Sequence, residues 1–378
     1  WAEAGGEGGA KAEGATLHPY CASLPPHRNS GSPLFWSEEE RALLEGSQCA
    51  GLVASYREFL TTTLAELEEG LFRPHRSLFP AAVFTPEAFL RAFGWLRARA
   101  HPPLDQEGVA LVPLADLVQH SGASSSSFEL RGGRGVFGGG GRTVRLTADR
   151  PYAPGEPIEM NFFLGGGEGL QGQLALDYAT LDAAAAGFSL PLAIDEDDPF
   201  FEDKADVAEL SGLGMSATWV LRPTHAPPDE LLAYLRLIHC SGEDAFHLEA
   251  MFRDAAWSHF LGPISPENER AVCEAVVQGC RAALAGYPST VEEDARLLAE
   301  ADWRTRLSGY KRVAVAVRLG EMQALSAYLL NFASRLERLE DLEYYQEARE
   351  KSLGVKNIMG VVKDKPAVWK SGGMDLSK

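Results

Sequence analysis

Asp116, Gln119, His120 and Ser121 bring an acid, an amide, an imidazole and a hydroxyl into one short stretch, directly after the strand-like run that starts at Leu111-Val112. Polar groups gathered at the end of a buried strand either line a cleft or satisfy one another. Taken alone, His120 reads more plainly as a structural histidine with bonded ring nitrogens. Gly167-Glu168-Gly169-Leu170-Gln171-Gly172 meets the spacing G-x-G-x-x-G of a dinucleotide loop. No β-α-β alternation follows it, so a glycine-rich surface loop is the better reading. Arg131-Gly132-Gly133-Arg134-Gly135, with Gly138 to Gly141, has the look of an RNA-binding element, but one short copy in an acidic chain reads as a hairpin insertion. The 5 cysteines are odd in number and scattered, with no Cys-x-x-Cys pair. That pattern indicates neither a zinc ribbon nor a disulfide scaffold, predicts no metal site, and suits a reducing compartment.

The elements that must position these groups come from 378 residues, enough for two or three domains. Acidic residues outnumber basic ones, 53 to 35, for a formal net charge of -18. A field of that sign repels phosphate backbones and argues against nucleic acid, while it suits a basic or lysine-bearing protein partner. No apolar run approaches the roughly 18 residues of a membrane helix. The first residue, Trp1, is expected to mark a fragment or a processed chain.

Residues 1–33, rich in Gly, Ala, Pro and Ser, read as a flexible lead-in. Ser37 and Glu40 form the reciprocal pattern of a capping box. Thr85-Pro86 predicts a second helix start, with Phe84 stapled onto Phe89 and an end before Pro102-Pro103. Beyond about residue 105, short apolar runs at 109–112, 144–146 and 158–162 alternate with glycine clusters and read as short strands. From about Asp229 the pattern is helical. Ser265-Pro266 opens a helix that Gly286 closes, and Thr290 with Glu293 makes another capping box. Leu325, Leu329, Phe332, Leu336 and Leu339 form the stripe of a long packed helix, and a loose tail is expected from 354 to 378.

Ala115-Asp116-Leu117-Val118-Gln119-His120-Ser121 resembles the Asp-Leu-x-Asn-His-Ser signature of SET-domain methyltransferases of the Rubisco large-subunit methyltransferase family. Phe93-Gly94-Trp95-Leu96-Arg97-Ala98-Arg99-Ala100 is similar to that family's Phe-Gly-x-Leu-Arg-Ser-Arg-Ala helix, and Leu174-Ala175-Leu176-Asp177-Tyr178 to the segment closing its catalytic core. Trp36 to Glu40, Gly46-Ser47-Gln48, Asp198 to Lys204, Gly242 to Phe246, Ala283 to Tyr287 and Leu342 to Gln346 match in the same order, so the resemblance spans roughly 17–353.

The resemblance implies an α+β fold: a partial SET β-core with a helical insertion (34–225, the insertion about 34–100 and the core about 105–190), then an all-α substrate-binding domain (226–353). It implies transfer of a methyl group from S-adenosyl-L-methionine to a lysine of a protein substrate, Rubisco large subunit or another protein of the chloroplast stroma. Related enzymes also methylate a protein histidine, and a non-catalytic SET-derived binding module is the alternative reading. On the family pattern Gln119 and His120 would bind the cofactor, Tyr178 would be catalytic, and Arg99, Asp116 and Phe162 would line the substrate side. Two positions depart from the pattern: Gln119 stands where the family has Asn, and Phe162 where it usually has a second tyrosine. The family's amino-terminal SET strands would be expected ahead of residue 17, where Trp1 to Ala15 shows no strand pattern.

Overall fold

The computed structural model describes residues 19–20, 24, 31–105, 108–131, 143–163, 169–249, 253–300 and 309–352. The Arg-Gly-Gly insertion, Gly167-Glu168, the 354–378 tail and most of the lead-in lie outside them. In chain order the described elements are α1 (Glu38–Ala42), α2 (Gln48–Leu67), α3 (Pro86–Arg99), β1 (Ala100–Asp105), β2 (Gly108–Leu111), β3 (Gln119–His120), β4 (Ser127–Arg131), β5 (Thr143–Thr147) and β6 (Glu159–Met160). They continue with α4 (Gln171–Tyr178), β7 (Phe188–Ala193), α5 (Phe201–Leu210), β8 (Ser216–Leu221), α6 (Asp229–Ile238), α7 (Arg253–Phe260), α8 (Pro266–Ala285), α9 (Val291–Ala299), α10 (Gly309–Glu337) and α11 (Tyr345–Ser352). The class is α+β: helices dominate, and the described strands form four pairs, β1-β2, β3-β6, β4-β5 and β7-β8.

Local chemistry explains the helix ends. Ser37 accepts from the Glu40 N–H while Glu40 accepts from the Ser37 N–H, and Thr290 with Glu293 repeats the arrangement. Thr85 caps α3 through the Ala88 N–H, and Pro86 sits at its first turn, where a missing N–H is harmless. Phe84 rests in an aromatic cluster with Phe72 and Phe79, at ring separations of 5.3 and 5.1 Å.

The chain forms two compact units. The first comprises 1–190, 220–225 and 280–327. Its core joins Leu34, Trp36, Leu44, Val53 and Leu60 to Ala175 and Leu176 of α4 and to Ala314 and Val317 of α10. Gly172, which the sequence reading placed in a surface loop, is buried in α4. A Cβ there would come within 3.1 Å of the Cys49 side chain on α2, so the glycine serves helix packing. In the stretch read as lead-in, the described residues near the unit are packed. Ser32 and Pro33 are buried, and the Ser32 hydroxyl donates to the Leu176 carbonyl at 2.5 Å.

The second unit comprises 191–219, 226–279 and 328–378. Val207 and Ala208 of α5, Tyr234 and Leu237 of α6 and Ala256 and Phe260 of α7 form its core. The buried Arg236 side chain donates to Glu269 and to the carbonyls of Phe260 and Leu261. Lys204 is fully buried, its Nζ donating to Asp198 at 2.6 Å and to the Ile238 carbonyl at 2.7 Å.

α10, the long packed helix of the sequence reading, is by length and composition alone apolar enough to cross a membrane, yet 56% of its apolar window is buried within the protein, and Arg318 and Glu321 are buried along it. A core helix that carries buried ionic groups gains its apolar character from packing.

Candidate active site

Arg97 and Arg99 sit two residues apart in the last turn of α3, which separates them by about 200° around the helix axis. Their guanidiniums therefore reach different partners. Arg97 Nε and Nη2 donate to the two carboxylate oxygens of Asp177, at 2.7 and 2.6 Å, while its guanidinium lies 4.5 Å from the Tyr56 ring centroid. Arg99 Nη1 donates to Asp116 Oδ2 at 2.7 Å.

Asp116 is carried by a short helical turn, Ala115–Leu117, that follows Leu114 at φ 75°. A bulky residue at positive φ stores strain that the surrounding contacts must hold. The Asp116 side chain is 1% exposed. Its Oδ2 also accepts from the Tyr20 hydroxyl at 2.8 Å, whereas Oδ1 is buried without a partner among the described residues.

Tyr178 is the last residue of α4, and Ala179 ends the helix in the left-handed conformation at φ 51°. The Tyr178 ring stands 4.4 Å from that of Phe162. Burial, reinforced by Asp177 and opposed by Arg97, holds the phenol pKa above its ordinary value, and the hydroxyl has no partner among the described residues. Burial likewise raises the Asp177 carboxyl, against the opposing pull of Arg97.

β3 runs parallel to β6, with Gln119 opposite Glu159 and His120 opposite Met160. The N–H groups of Gln119 and Ser121 donate to the carbonyls of Ile158 and Met160. Backbone groups alternate along a strand, so the N–H and C=O of His120 point away from β6, along an edge with no further strand in its sheet among the described residues. The imidazole is committed internally. Nδ1 accepts from the Phe162 N–H at 3.2 Å, which leaves the proton on Nε2, 3.2 Å from Asp182 Oδ2. Burial lowers the His120 pKa, with Asp182 pulling the other way. Both ring nitrogens are thus engaged within the protein, and the backbone N–H and C=O are the hydrogen-bonding groups that His120 turns outward. The apolar run 158–162 keeps only two strand residues, because the N–H groups of Phe162 and Phe163 turn to His120 Nδ1 and Asn161 Oδ1.

All six candidate residues, Arg99, Asp116, Gln119, His120, Phe162 and Tyr178, line one cavity of about 380 Å³. A second cavity of about 250 Å³ meets it at His120 and is walled by Asn161, Phe163, Asp182 and Arg222. Arg97, Asp177, Asp182 and Tyr20 escaped the sequence reading. Asp182 did carry a signal: it precedes an alanine run and caps the turn Ala183–Ala185 through the Ala184 N–H. The pairing of Arg97 with Asp177 joins residues 80 apart and had none.

Two cavities that meet at one residue, His120, are an arrangement that can admit two reactants from different sides. Comparison with known proteins agrees. Residues 195–349 match the family model described as Rubisco LSMT substrate-binding. The chain is 37% identical over 341 residues to the chloroplastic ribulose-1,5-bisphosphate carboxylase/oxygenase large subunit N-methyltransferase of Pisum sativum, covering 89% of this chain and 67% of the relative. It is 33% identical over 355 residues to the chloroplastic [fructose-bisphosphate aldolase]-lysine N-methyltransferase of Arabidopsis thaliana, covering 92% and 71%. A solved structure of the SET domain of LSMT bound to lysine and AdoHcy superposes with a TM-score of 0.75 at 32% identity, covering 96% of this chain and 80% of that one. The chain belongs to the Rubisco large-subunit methyltransferase family of SET-domain protein methyltransferases.

Proposed function

We propose that this chain is an S-adenosyl-L-methionine-dependent protein-lysine N-methyltransferase, acting in the chloroplast stroma on a protein such as Rubisco large subunit or aldolase. The observation that carries the reading is the single cavity that Tyr178, whose hydroxyl has no partner among the described residues, lines together with Arg99, Asp116, Phe162 and the β3 residues Gln119 and His120. Relatives bearing on the choice of lysine are the two lysine-directed chloroplastic enzymes and the structure holding lysine beside AdoHcy.

The donor set fits the cofactor. The outward N–H and C=O of His120 offer the donor and acceptor that an adenine edge requires, and Gln119 beside it adds an exposed amide. S-adenosylmethionine, when bound, would supply a sulfonium methyl whose carbon a neutral amine can attack in line, the carbon–sulfur bond breaking to release S-adenosylhomocysteine. This chain's residues orient and dehydrate the amine. A lysine titrates near 10.4 in water and must lose its proton before attack, and a channel walled by Phe35, Trp95, Val118 and Phe162 disfavours the cation. The proton passes to bulk water as the side chain seats. The Tyr178 phenol stays protonated at neutral pH, and its oxygen accepts an amine N–H, turning the nitrogen lone pair toward the reacting carbon. Asp116, its carboxylate held by Arg99 and Tyr20, lines the same cavity on the substrate side.

The test is incubation of the chain with methyl-labelled S-adenosylmethionine and purified Rubisco or plastid aldolase, followed by peptide mapping. Label on a lysine is expected. Binding of the cofactor with no labelled residue in either protein or in stromal extract would overturn the reading in favour of a binding module.

A further inference from the structure

Asp182 lies four residues beyond Tyr178, on the segment that leaves α4, and both of its carboxylate oxygens are engaged. Oδ1 accepts from the Ala184 N–H at 2.9 Å, and Oδ2 from the Gly122 N–H at 2.9 Å. Oδ2 also faces His120 Nε2 at 3.2 Å. Gly122 permits this approach, because a Cβ there would stand 2.6 Å from Oδ2. The His120 side chain is 2% exposed, so its ring nitrogens depend on protein partners rather than on water. An imidazole held at one nitrogen can still turn about its Cβ–Cγ bond, whereas one held at both is fixed. With Nε2 directed at Asp182, Nδ1 is aimed at the Phe162 N–H, 3.2 Å away. Phe162 in turn sets its ring 4.4 Å from that of Tyr178. These contacts close a circuit that runs from Asp182 through His120 and Phe162 to Tyr178, and back along the chain to Asp182.

We infer that Asp182 is a positioning residue for the amine side of the site: it orients the His120 ring, whose Nδ1 holds the turn that carries Phe162 against Tyr178. The inference rests on the proposed methyltransferase reading. The β3 backbone is held separately, by the N–H groups of Gln119 and Ser121 donating to the carbonyls of Ile158 and Met160. The outward edge of His120 therefore keeps its place without the ring, and the effect of Asp182 falls on the amine.

The experiment compares wild type, Asp182→Ala and Asp182→Asn as full chains. Amide hydrogen exchange, read by NMR, follows the Phe162 N–H directly. The Leu174 N–H, bonded to the Leu170 carbonyl at 3.0 Å, is the control for general loosening. Calorimetry measures L-lysine at saturating S-adenosylhomocysteine, and S-adenosylhomocysteine alone. Asp182→Ala should speed exchange at Phe162 about tenfold while Leu174 keeps its protection. Lysine binding should weaken roughly fivefold, with S-adenosylhomocysteine affinity unchanged. Asp182→Asn keeps an oxygen for Gly122 and His120, and should bring exchange and lysine affinity back to wild-type values. Wild-type exchange at Phe162 in Asp182→Ala overturns the inference, as does a loss of S-adenosylhomocysteine affinity equal to that of lysine. So does an Asp182→Asn protein as impaired as Asp182→Ala. Should Asp182→Ala not fold, wild type decides: nitrogen NMR shifts must place the His120 proton on Nε2, and a proton on Nδ1 refutes the role. If wild type takes no lysine, the methyltransferase reading fails instead, and exchange at Phe162 still tests the positioning.

Discussion

Arg97 grips both oxygens of Asp177, and Asp177 is the residue before Tyr178. The bidentate pair ties the end of α3 to the end of α4, and so fixes the last turn from which Tyr178 enters the cavity. Asp177 is 8% exposed at its side chain and Arg97 29%, so neither charge is free to rehydrate fully if its partner is lost.

Arg97→Met is expected to destabilise the protein by about 3 kcal/mol, the usual order for stranding one member of a buried pair. Urea unfolding measures it. The double variant Arg97→Met/Asp177→Leu should recover most of the loss, because no unpaired charge remains. Equal destabilisation in both would show that packing of α3 on α4, rather than the ion pair, holds the turn.

Tyr178→Phe keeps the ring and its contact with Phe162 but removes the hydroxyl. On the role proposed for Tyr178, this loss is expected to lower kcat by roughly 100-fold or more, while calorimetry should find S-adenosylhomocysteine bound as in wild type. With Phe162 already lacking a hydroxyl, no neighbouring phenol compensates.

Glu321 gives a pH signature away from the cavity. Its carboxylate accepts from the Tyr287 hydroxyl at 2.6 Å and the Gln48 N–H at 3.0 Å, yet burial dominates and pushes its pKa from 4.5 up to about 7. A carboxyl whose folded pKa is raised holds its proton in the native state while the unfolded chain has lost it. Its contribution to stability is therefore full below 4.5 and declines as pH rises toward 7. Between those limits wild type should lose up to about 3 kcal/mol relative to Glu321→Gln. Urea titrations across the range check this. A difference between the two proteins that is flat with pH would contradict it.

The legible parts of this molecule are those that local chemistry decides. The capping boxes at Ser37 and Thr290, and the Thr85-Pro86 start, need only neighbours within one turn. The Asp116-to-Ser121 stretch was visible because side chains of unusual chemistry are packed into few positions, whereas Arg99 and Tyr178 stood out only through the family resemblance. Illegible were the links that tertiary contact creates: Tyr20 to Asp116, Arg97 to Asp177 and His120 to Asp182. None has a spacing rule. The role of the His120 ring also depended on where its two nitrogens found partners, which no sequence pattern encodes. The α10 stripe was legible because its apolar spacing repeats within a few turns, although burial inside a protein and insertion in a bilayer select the same apolar residues.

The most direct measurement is a crystal structure of the chain with S-adenosylhomocysteine and L-lysine. The account predicts the lysine side chain in the 380 Å³ cavity, with Nζ within hydrogen-bond distance of the Tyr178 hydroxyl and the adenine on the outward backbone groups of His120. Lysine seated away from Tyr178, or adenine bound without touching the His120 strand, would contradict it.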